Sequence, residues 1–155
     1  DLGRFDEVIE PGAFARYISE GQDVRALIDH DSGRVIGRTK NGTLTMQEDS
    51  RGLFTRIELP DTQDGRDLST LIERGDLDAM SFGFTVSGDR WEKHEGRNTR
   101  YISDVDMFDV SVVAFPAYTD TTVALRSMQD TGFEGDNRRL RFDLNLKRYR
   151  PNSWQ

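Results

Sequence analysis

The sequence lacks or is poor in residues on which several common chemistries depend. Among its 155 residues there is no cysteine, and there are only two histidines, His30 and His94. The absence of cysteine excludes disulfides, a thiol nucleophile and cysteine-ligated zinc, and it is typical of a reducing compartment. Two histidines are too few for a histidine-rich metal site. We therefore expect neither a metal nor another cofactor.

Long apolar runs are also missing. No segment approaches the roughly 20 apolar residues that a transmembrane helix needs, and the start of the chain lacks the basic and apolar regions of a secretory signal peptide. The chain does not begin with methionine, so we expect a fragment or a processed product. Its length suffices for one domain with a hydrophobic core but is short for two.

The net charge of −7 is unevenly distributed. Six basic residues against one aspartate give residues 138–155 a charge of +5, which leaves −12 for the remainder. An acidic body argues against general phosphate-backbone binding, and we expect no specific nucleic acid partner. We interpret residues 1–126 as the folded domain and residues 127–155 as a linker and a solvated basic tail. Binding of the tail to the acidic body, to an acidic partner or to nucleic acid is the alternative.

Most of the folded part has the pattern of short strands. Helices are predicted at residues 11–21 and 67–74, the second capped by Asp64 or Asp67 and ended by Gly75. Strands are predicted at residues 24–30, 35–39, 43–47, 53–59, 79–86, 101–107 and 109–115. This pattern predicts a mainly β fold of the α+β class, namely a closed or nearly closed β-barrel with peripheral helices.

Ser81 lies in the predicted strand of sequence MSFGFTV, residues 80–86. Side chains alternate between the two faces of a strand, so Met80, Phe82 and Phe84 should form an apolar face with Ser81 on the other. Gly83, on the same face as Ser81, would leave room for a substrate backbone. The alternative to a nucleophile is an ordinary strand serine.

His30 ends a predicted strand, on the same face as the apolar residues Val24, Ala26 and Ile28, and precedes a glycine-containing loop at residues 31–33. We predict that it projects from a strand end into a cleft. An imidazole titrates near neutral pH and so suits a general base. The alternative is a structural histidine hydrogen-bonded to Asp29 or Asp31.

Asp109 begins another apolar strand, on the same face as Ser111. A buried carboxylate is costly unless it is paired, and an imidazole would pair it while the carboxylate orients the ring. The alternative is a solvated aspartate. Ser81, His30 and Asp109 together supply a nucleophile, a base and an acid, which we expect to meet at one water-accessible spot. Their order in the chain differs from that of the familiar triads.

Four segments together resemble the HK97-type phage prohead (capsid maturation) protease family, which is related in fold to the herpesvirus assemblins. They are EVIEPGAF near the start, ALIDHDSGRVIGR around His30, DAMSFGF around Ser81 and FDVSVVAFPAYTDTTV around Asp109. The likeness extends over residues 3–126. The family more often has Glu-Val-Ser where this chain has Asp-Val-Ser, and aspartate is shorter by one methylene group.

The resemblance implies a herpesvirus-protease-like barrel over residues 1–126 and a serine endopeptidase. His30 would be the base, Ser81 the nucleophile and Asp109 the third member of the triad. Assemblins use a second histidine in that third role, and His94, in a charged segment, is the candidate for it here. The oxyanion also needs a stabilising donor; the candidates are backbone N–H groups and Arg34 or Arg38, with a surface ion pair as the alternative for each arginine.

The resemblance also implies substrates and a location. The substrates would be the phage scaffold, or the scaffolding segment of the major capsid protein, and the protease itself, inside the prohead in the bacterial host cytoplasm. A homodimer is an open expectation, because assemblins are activated by dimerising, and no membrane partner is expected.

Two other functions stay open. One is a non-catalytic β-barrel module for capsid assembly or scaffold binding. The other is an acid–base hydrolase that uses Asp106 and Asp109, which alternation along a strand disfavours because it would send these two side chains to opposite faces.

Overall fold

The computed structural model describes residues 5–94, 96–117, 121–126 and 139–144. The strands are β1 (Phe5–Ile9), β2 (Arg25–Ile28), β3 (Asp31–Arg38), β4 (Leu44–Asp49), β5 (Gly52–Glu58), β6 (Ala79–His94), β7 (Arg97–Val113), β8 (Thr121–Arg126) and β9 (Arg139–Leu144). The helices are α1 (Ala15–Ser19), α2 (Gln63–Arg74) and a short 3-10 helix at Thr39–Asn41. The predicted mainly β fold of the α+β class is confirmed.

The first sheet is built around β7. One edge of β7 pairs antiparallel with β6. The other edge pairs in parallel with β1 near the start of β7 and with β2 near its end, and β3 pairs antiparallel with β2. The end of β7 therefore lies between β6 and β2, the strands that carry Ser81 and lead to His30.

The second sheet has the order β4-β5-β9-β8, with every neighbouring pair antiparallel. The presence of β9 corrects the secondary-structure prediction, which placed residues 139–144 in a solvated tail. Their sequence, RLRFDL, alternates charged and apolar residues with the period of a strand, but its charge favoured the tail interpretation. The domain boundary at residue 126 stays a prediction.

The two sheets and α2 share one hydrophobic core. Its buried members include Met80, Phe82 and Val110 from the first sheet and Leu53 and Ile57 from the second. The predicted alternation along β6 is confirmed for these residues, with Met80 and Phe82 inside and Ser81 on the other face. Within the described ranges no strand pairing joins the two sheets, and the closed barrel stays a prediction.

Both predicted helices form, but with different ends. Turns occupy residues 11–14, and only five residues of the first helix are α-helical. α2 begins before residue 67, and its N-cap is Thr62, whose Oγ1 accepts a hydrogen bond from the Gly65 N–H at 3.2 Å. The prediction of an aspartate cap is therefore wrong, whereas Gly75 ends the helix as predicted. Neither described α-helix has the length and apolarity to cross a bilayer.

The strands predicted at residues 101–107 and 109–115 are one strand with a bulge at Phe108. Gly83 pairs with Asp109 and the next residue of β6 pairs with Met107, so Phe108 is the extra residue of β7. A bulge shifts the alternation of side chains by one residue. Asp106 and Asp109 consequently lie on the same face, away from the core, and the prediction that they point to opposite faces is wrong.

Candidate active site

His30 lies in a tight turn between β2 and β3. The two residues of this turn, Asp29 and His30, both have positive φ angles, 53° and 58°. A two-residue hairpin with positive φ at both positions is a type I′ turn, which favours glycine, although aspartate and histidine adopt this region more readily than most residues. The prediction of a strand end leading into a loop at residues 31–33 is therefore wrong, since those residues already belong to β3.

The turn brings the imidazole of His30 onto the carboxylate of Asp109. The distance between His30 Nδ1 and Asp109 Oδ2 is 2.7 Å. The side chain of His30 is 41% exposed and that of Asp109 only 13%, so the pair is open to solvent on the histidine side. With Nδ1 protonated and bound to the carboxylate, Nε2 is left to accept a proton.

Ser111 joins this pair, a role that the sequence did not predict. Its hydroxyl donates to Asp109 Oδ2 at 2.5 Å and accepts a hydrogen bond from the backbone N–H of His30 at 3.3 Å. The residue is completely buried. The sequence feature that could have indicated this role is the position of Ser111 two residues after Asp109 on a strand, which puts both side chains on one face.

Ser81 lies on β6 directly opposite Ser111 of β7. Side chains opposed in this way have Cβ atoms about 5 Å apart. Because β7 lies between β6 and β2, Ser111 separates Ser81 from the turn that carries His30. The hydrogen bonds of the described residues include none between Ser81 and His30. Ser81 is also only 4% exposed, in contrast to the water-accessible position that the sequence predicted.

Gly83 makes room for the carboxylate of Asp109. A Cβ atom at Gly83 would lie 2.4 Å from Asp109 Oδ1 and 3.6 Å from the ring of Phe108. The first distance is far inside van der Waals contact. The space predicted for a substrate backbone is thus filled by the acid of the site itself.

The two arginines considered for the oxyanion are held by carboxylates. Arg34 donates to Asp64 at 3.0 and 3.3 Å, and this contact raises the pKa of its guanidinium. Arg38 donates to Asp23 at 2.8 and 2.5 Å, which lowers the pKa of that carboxyl. Arg38 also pairs with the start of β2, at the opposite end from His30. A role for either arginine stays a prediction.

His94 lies at the opposite end of β6 from Ser81. It pairs with Arg97 where β6 turns into β7, whereas Ser81 pairs with Ser111 near the end of β7. This separation along the hairpin does not favour His94 as a partner of His30.

Comparison with known proteins agrees with the resemblance noted from the sequence. The family described as caudovirus prohead serine protease matches residues 1–133. The chain belongs to this family. The prohead protease of Escherichia phage T5 is similar as well, with 30% identity over 99 residues that make up 64% of this chain and 44% of that protein. The match therefore spans less than half of the relative's length. No solved structure matches.

Proposed function

We propose that the chain is a serine endopeptidase in which Ser81 is the nucleophile, His30 the general base and Asp109 the acid that orients it. The observation that carries the proposal is the 2.7 Å contact between His30 Nδ1 and Asp109 Oδ2, on the sheet face that Ser81 shares. Membership of a serine protease family supports the same assignment of chemistry.

The chemistry follows from these three groups. The hydroxyl of Ser81 transfers its proton to His30 Nε2 while its oxygen bonds to the carbonyl carbon of the scissile peptide. Asp109 stabilises the imidazolium that forms. When the tetrahedral intermediate collapses, the C–N bond breaks and His30 protonates the leaving amine. Water, deprotonated by the same imidazole, then attacks the ester on Ser81. The bond from the acyl carbon to Ser81 Oγ breaks, and the imidazolium returns its proton to the serine oxygen.

Two features of the free protein must change in the substrate complex. Ser81 has to come within hydrogen-bonding distance of His30 Nε2, and catalytic hydrogen bonds commonly tighten when substrate binds. The oxyanion needs a donor, typically worth about 3 kcal/mol. A backbone N–H is the simplest donor, because Arg34 and Arg38 would first have to leave their carboxylates.

The substrates proposed are those of a capsid maturation protease. They are the scaffold or the scaffolding segment of the major capsid protein, and the chain itself, inside the prohead in the host cytoplasm. A herpesvirus-protease-like barrel is part of the same proposal, and it is supported by the single core that the two sheets share. The homodimer belongs to the proposal as well.

A fluorophosphonate probe tests the nucleophile, with mass spectrometry to locate the labelled residue. We expect labelling at Ser81 in the wild type and none in S81A or H30A. In D109N labelling should slow by about 10³- to 10⁴-fold, the effect of losing the acid of a serine triad. S87A is the matched control, because Ser87 lies on the same strand and bonds to Asp106 rather than to Asp109; it should label like the wild type.

A wild type that stays unlabelled, or an S81A variant that is labelled as fast as the wild type, would contradict the proposal. A non-catalytic module would show the first result. A carboxylate hydrolase would resist the probe and yet lose hydrolysis in D109N. The same variants incubated with scaffold-bearing capsid protein test the substrate, since only proteins that label should cleave it.

A further inference from the structure

Ser111 stands between the three residues of the proposed triad without being one of them. Its Oγ bonds to Asp109 and to the backbone of His30, and it faces Ser81 across the strand pair. We infer that Ser111 is a positioning residue, whose hydroxyl holds the acid and the histidine turn in register with the nucleophile. The inference rests on the proposed function for its catalytic meaning.

The hydrogen bonds of Ser111 fix the direction of its hydroxyl. A serine hydroxyl has one proton to donate and two lone pairs that accept. The proton goes to Asp109 Oδ2 at 2.5 Å, and one lone pair takes the His30 N–H at 3.3 Å. Because Asp109 Oδ2 is also the atom that contacts His30 Nδ1, the hydroxyl and the imidazole hold one carboxylate oxygen from two sides.

The histidine turn depends on such an anchor. Residues other than glycine at positive φ persist where the surrounding structure holds them. The backbone N–H groups of both turn residues donate hydrogen bonds to β7. The Asp29 N–H donates to the Val112 carbonyl oxygen at 2.8 Å, and the His30 N–H donates to Ser111 Oγ. The second anchor is a side chain, so a mutation can remove it without altering the strand. Loss of the hydroxyl would leave the turn with one of these two anchors and the carboxylate with the imidazole as its remaining partner.

The geometry does not make Ser111 an alternative nucleophile. Its proton is directed to a carboxylate and not to the imidazole, and it meets His30 through the backbone. Its exposure is 0%. Nε2, the ring nitrogen that Asp109 does not engage, is left for the nucleophile, which in the proposed function is Ser81.

The test compares S111T with S111V, which add the same bulk at the buried site but differ in the hydroxyl. The measured quantity is the rate at which a fluorophosphonate labels Ser81, in full chains whose folding is checked by thermal unfolding. We expect S111T to stay within about threefold of the wild type and S111V to be slower by about 10- to 100-fold, as for losing a hydrogen bond to a charged group. Equal rates in the two variants would overturn the inference, as would labelling of Ser111 in the wild type.

If the added methyl group prevents S111T and S111V from folding, S111A takes their place. A measurement that does not depend on activity accompanies it. The proton between His30 Nδ1 and Asp109 Oδ2 should give a low-field NMR signal in the wild type that is lost or shifted upfield in S111A. An unchanged signal would overturn the positioning role. If the wild type is never labelled, the proposed function fails, and this signal alone then decides whether Ser111 positions the pair.

Discussion

The two halves of β7 use polar side chains in opposite ways. In the half that pairs with β2, Asp109 and Ser111 are buried and bond to the histidine turn. In the half towards β1, Asp104 and Asp106 are only part-buried and bond to Arg16 at 2.7 and 2.6 Å. The bulge at Phe108 separates the two halves. One strand thus carries both a candidate active site and an ordinary charged surface.

The difference between the halves is one of solvent access. Exposed ion pairs contribute little to stability because water and salt screen them, so the half of β7 towards β1, here called the outer half, tolerates change. A buried polar group that loses its partner keeps the full cost of desolvation, so the half that pairs with β2, here called the inner half, has few alternative arrangements. Water cannot replace the hydrogen bonds of buried groups, so these bonds can hold catalytic groups in place.

The largest effect is expected from G83A, for which G88A is the matched control on the same strand. A Cβ at Gly83 would meet Asp109 Oδ1 at 2.4 Å, whereas one at Gly88 would meet Ser103 Oγ at 3.1 Å and Asp104 Cβ at 3.2 Å. Displacing the acid should slow labelling of Ser81 by on the order of 10²-fold and cost about 1–3 kcal/mol of unfolding free energy from overpacking. G88A should label as fast as the wild type, because the contacts of its added Cβ are only slightly too close and involve residues of the outer half of β7.

Labelling rates and urea unfolding curves for the two variants give this comparison. If G83A labelled as fast as G88A, labelling of Ser81 would not depend on the position of the Asp109 carboxylate. That result would contradict the contrast between the two halves of β7.

A smaller effect is expected for the difference in unfolding free energy between H30G and H30A. Both variants lose the imidazole, so both should be inactive towards the probe. They differ only in the turn, where His30 has a φ of 58°. Left-handed backbone is unfavourable for alanine and not for glycine, so H30G should be more stable than H30A by about 1 kcal/mol.

Urea unfolding of the two proteins measures this difference. Equal stability would mean that the turn is not left-handed at His30. If H30G is also more stable than the wild type, histidine is kept in this turn at the expense of stability.

The smallest effect is expected from R16Q in the outer half. The hydrogen bond from Arg16, and to a lesser degree that from Ser87, lowers the pKa of Asp106. Removal of Arg16 should raise that pKa towards the ordinary value of aspartate, with no change in labelling of Ser81. NMR titration of the Asp106 carboxyl carbon measures the shift.

The pH dependence has a defined sign. A carboxyl whose pKa is lowered by folding stabilises the protein above its unfolded pKa, near 4, and this contribution is lost as the pH falls through the lowered value. The wild type should therefore lose more stability than R16Q between pH 6 and pH 2. R66Q, which removes a surface pair with Asp61, is the control and should leave the Asp106 titration unchanged.

Local patterns predicted part of this arrangement. The apolar alternation of residues 80–86 predicted correctly that Ser81 lies on the face away from the core, because a register shift of one residue would have exposed two phenylalanines. The same rule failed along residues 101–115. The bulge at Phe108 depends on how β7 fits against β6, and nothing in the local sequence of β7 marks it.

The position of His30 was only half predictable. Its neighbours indicated the end of a strand, but an Asp-His pair is not a common signal for a two-residue turn of positive φ. The turn forms because β2 and β3 are paired and β7 supplies the acceptors for its two N–H groups. The role of Ser111 was missed for a similar reason, because its partners are distant in the chain.

The sequence by itself determined the mainly β character, the apolar face of β6 and the family to which the chain belongs, because these depend on residue type and on periodicity within short segments. Tertiary structure decided which strands lie beside β7, that His30 bonds to Asp109, and that a glycine leaves room for the acid. These features depend on contacts between residues far apart in the chain, and such contacts are set by how the strands pair and pack.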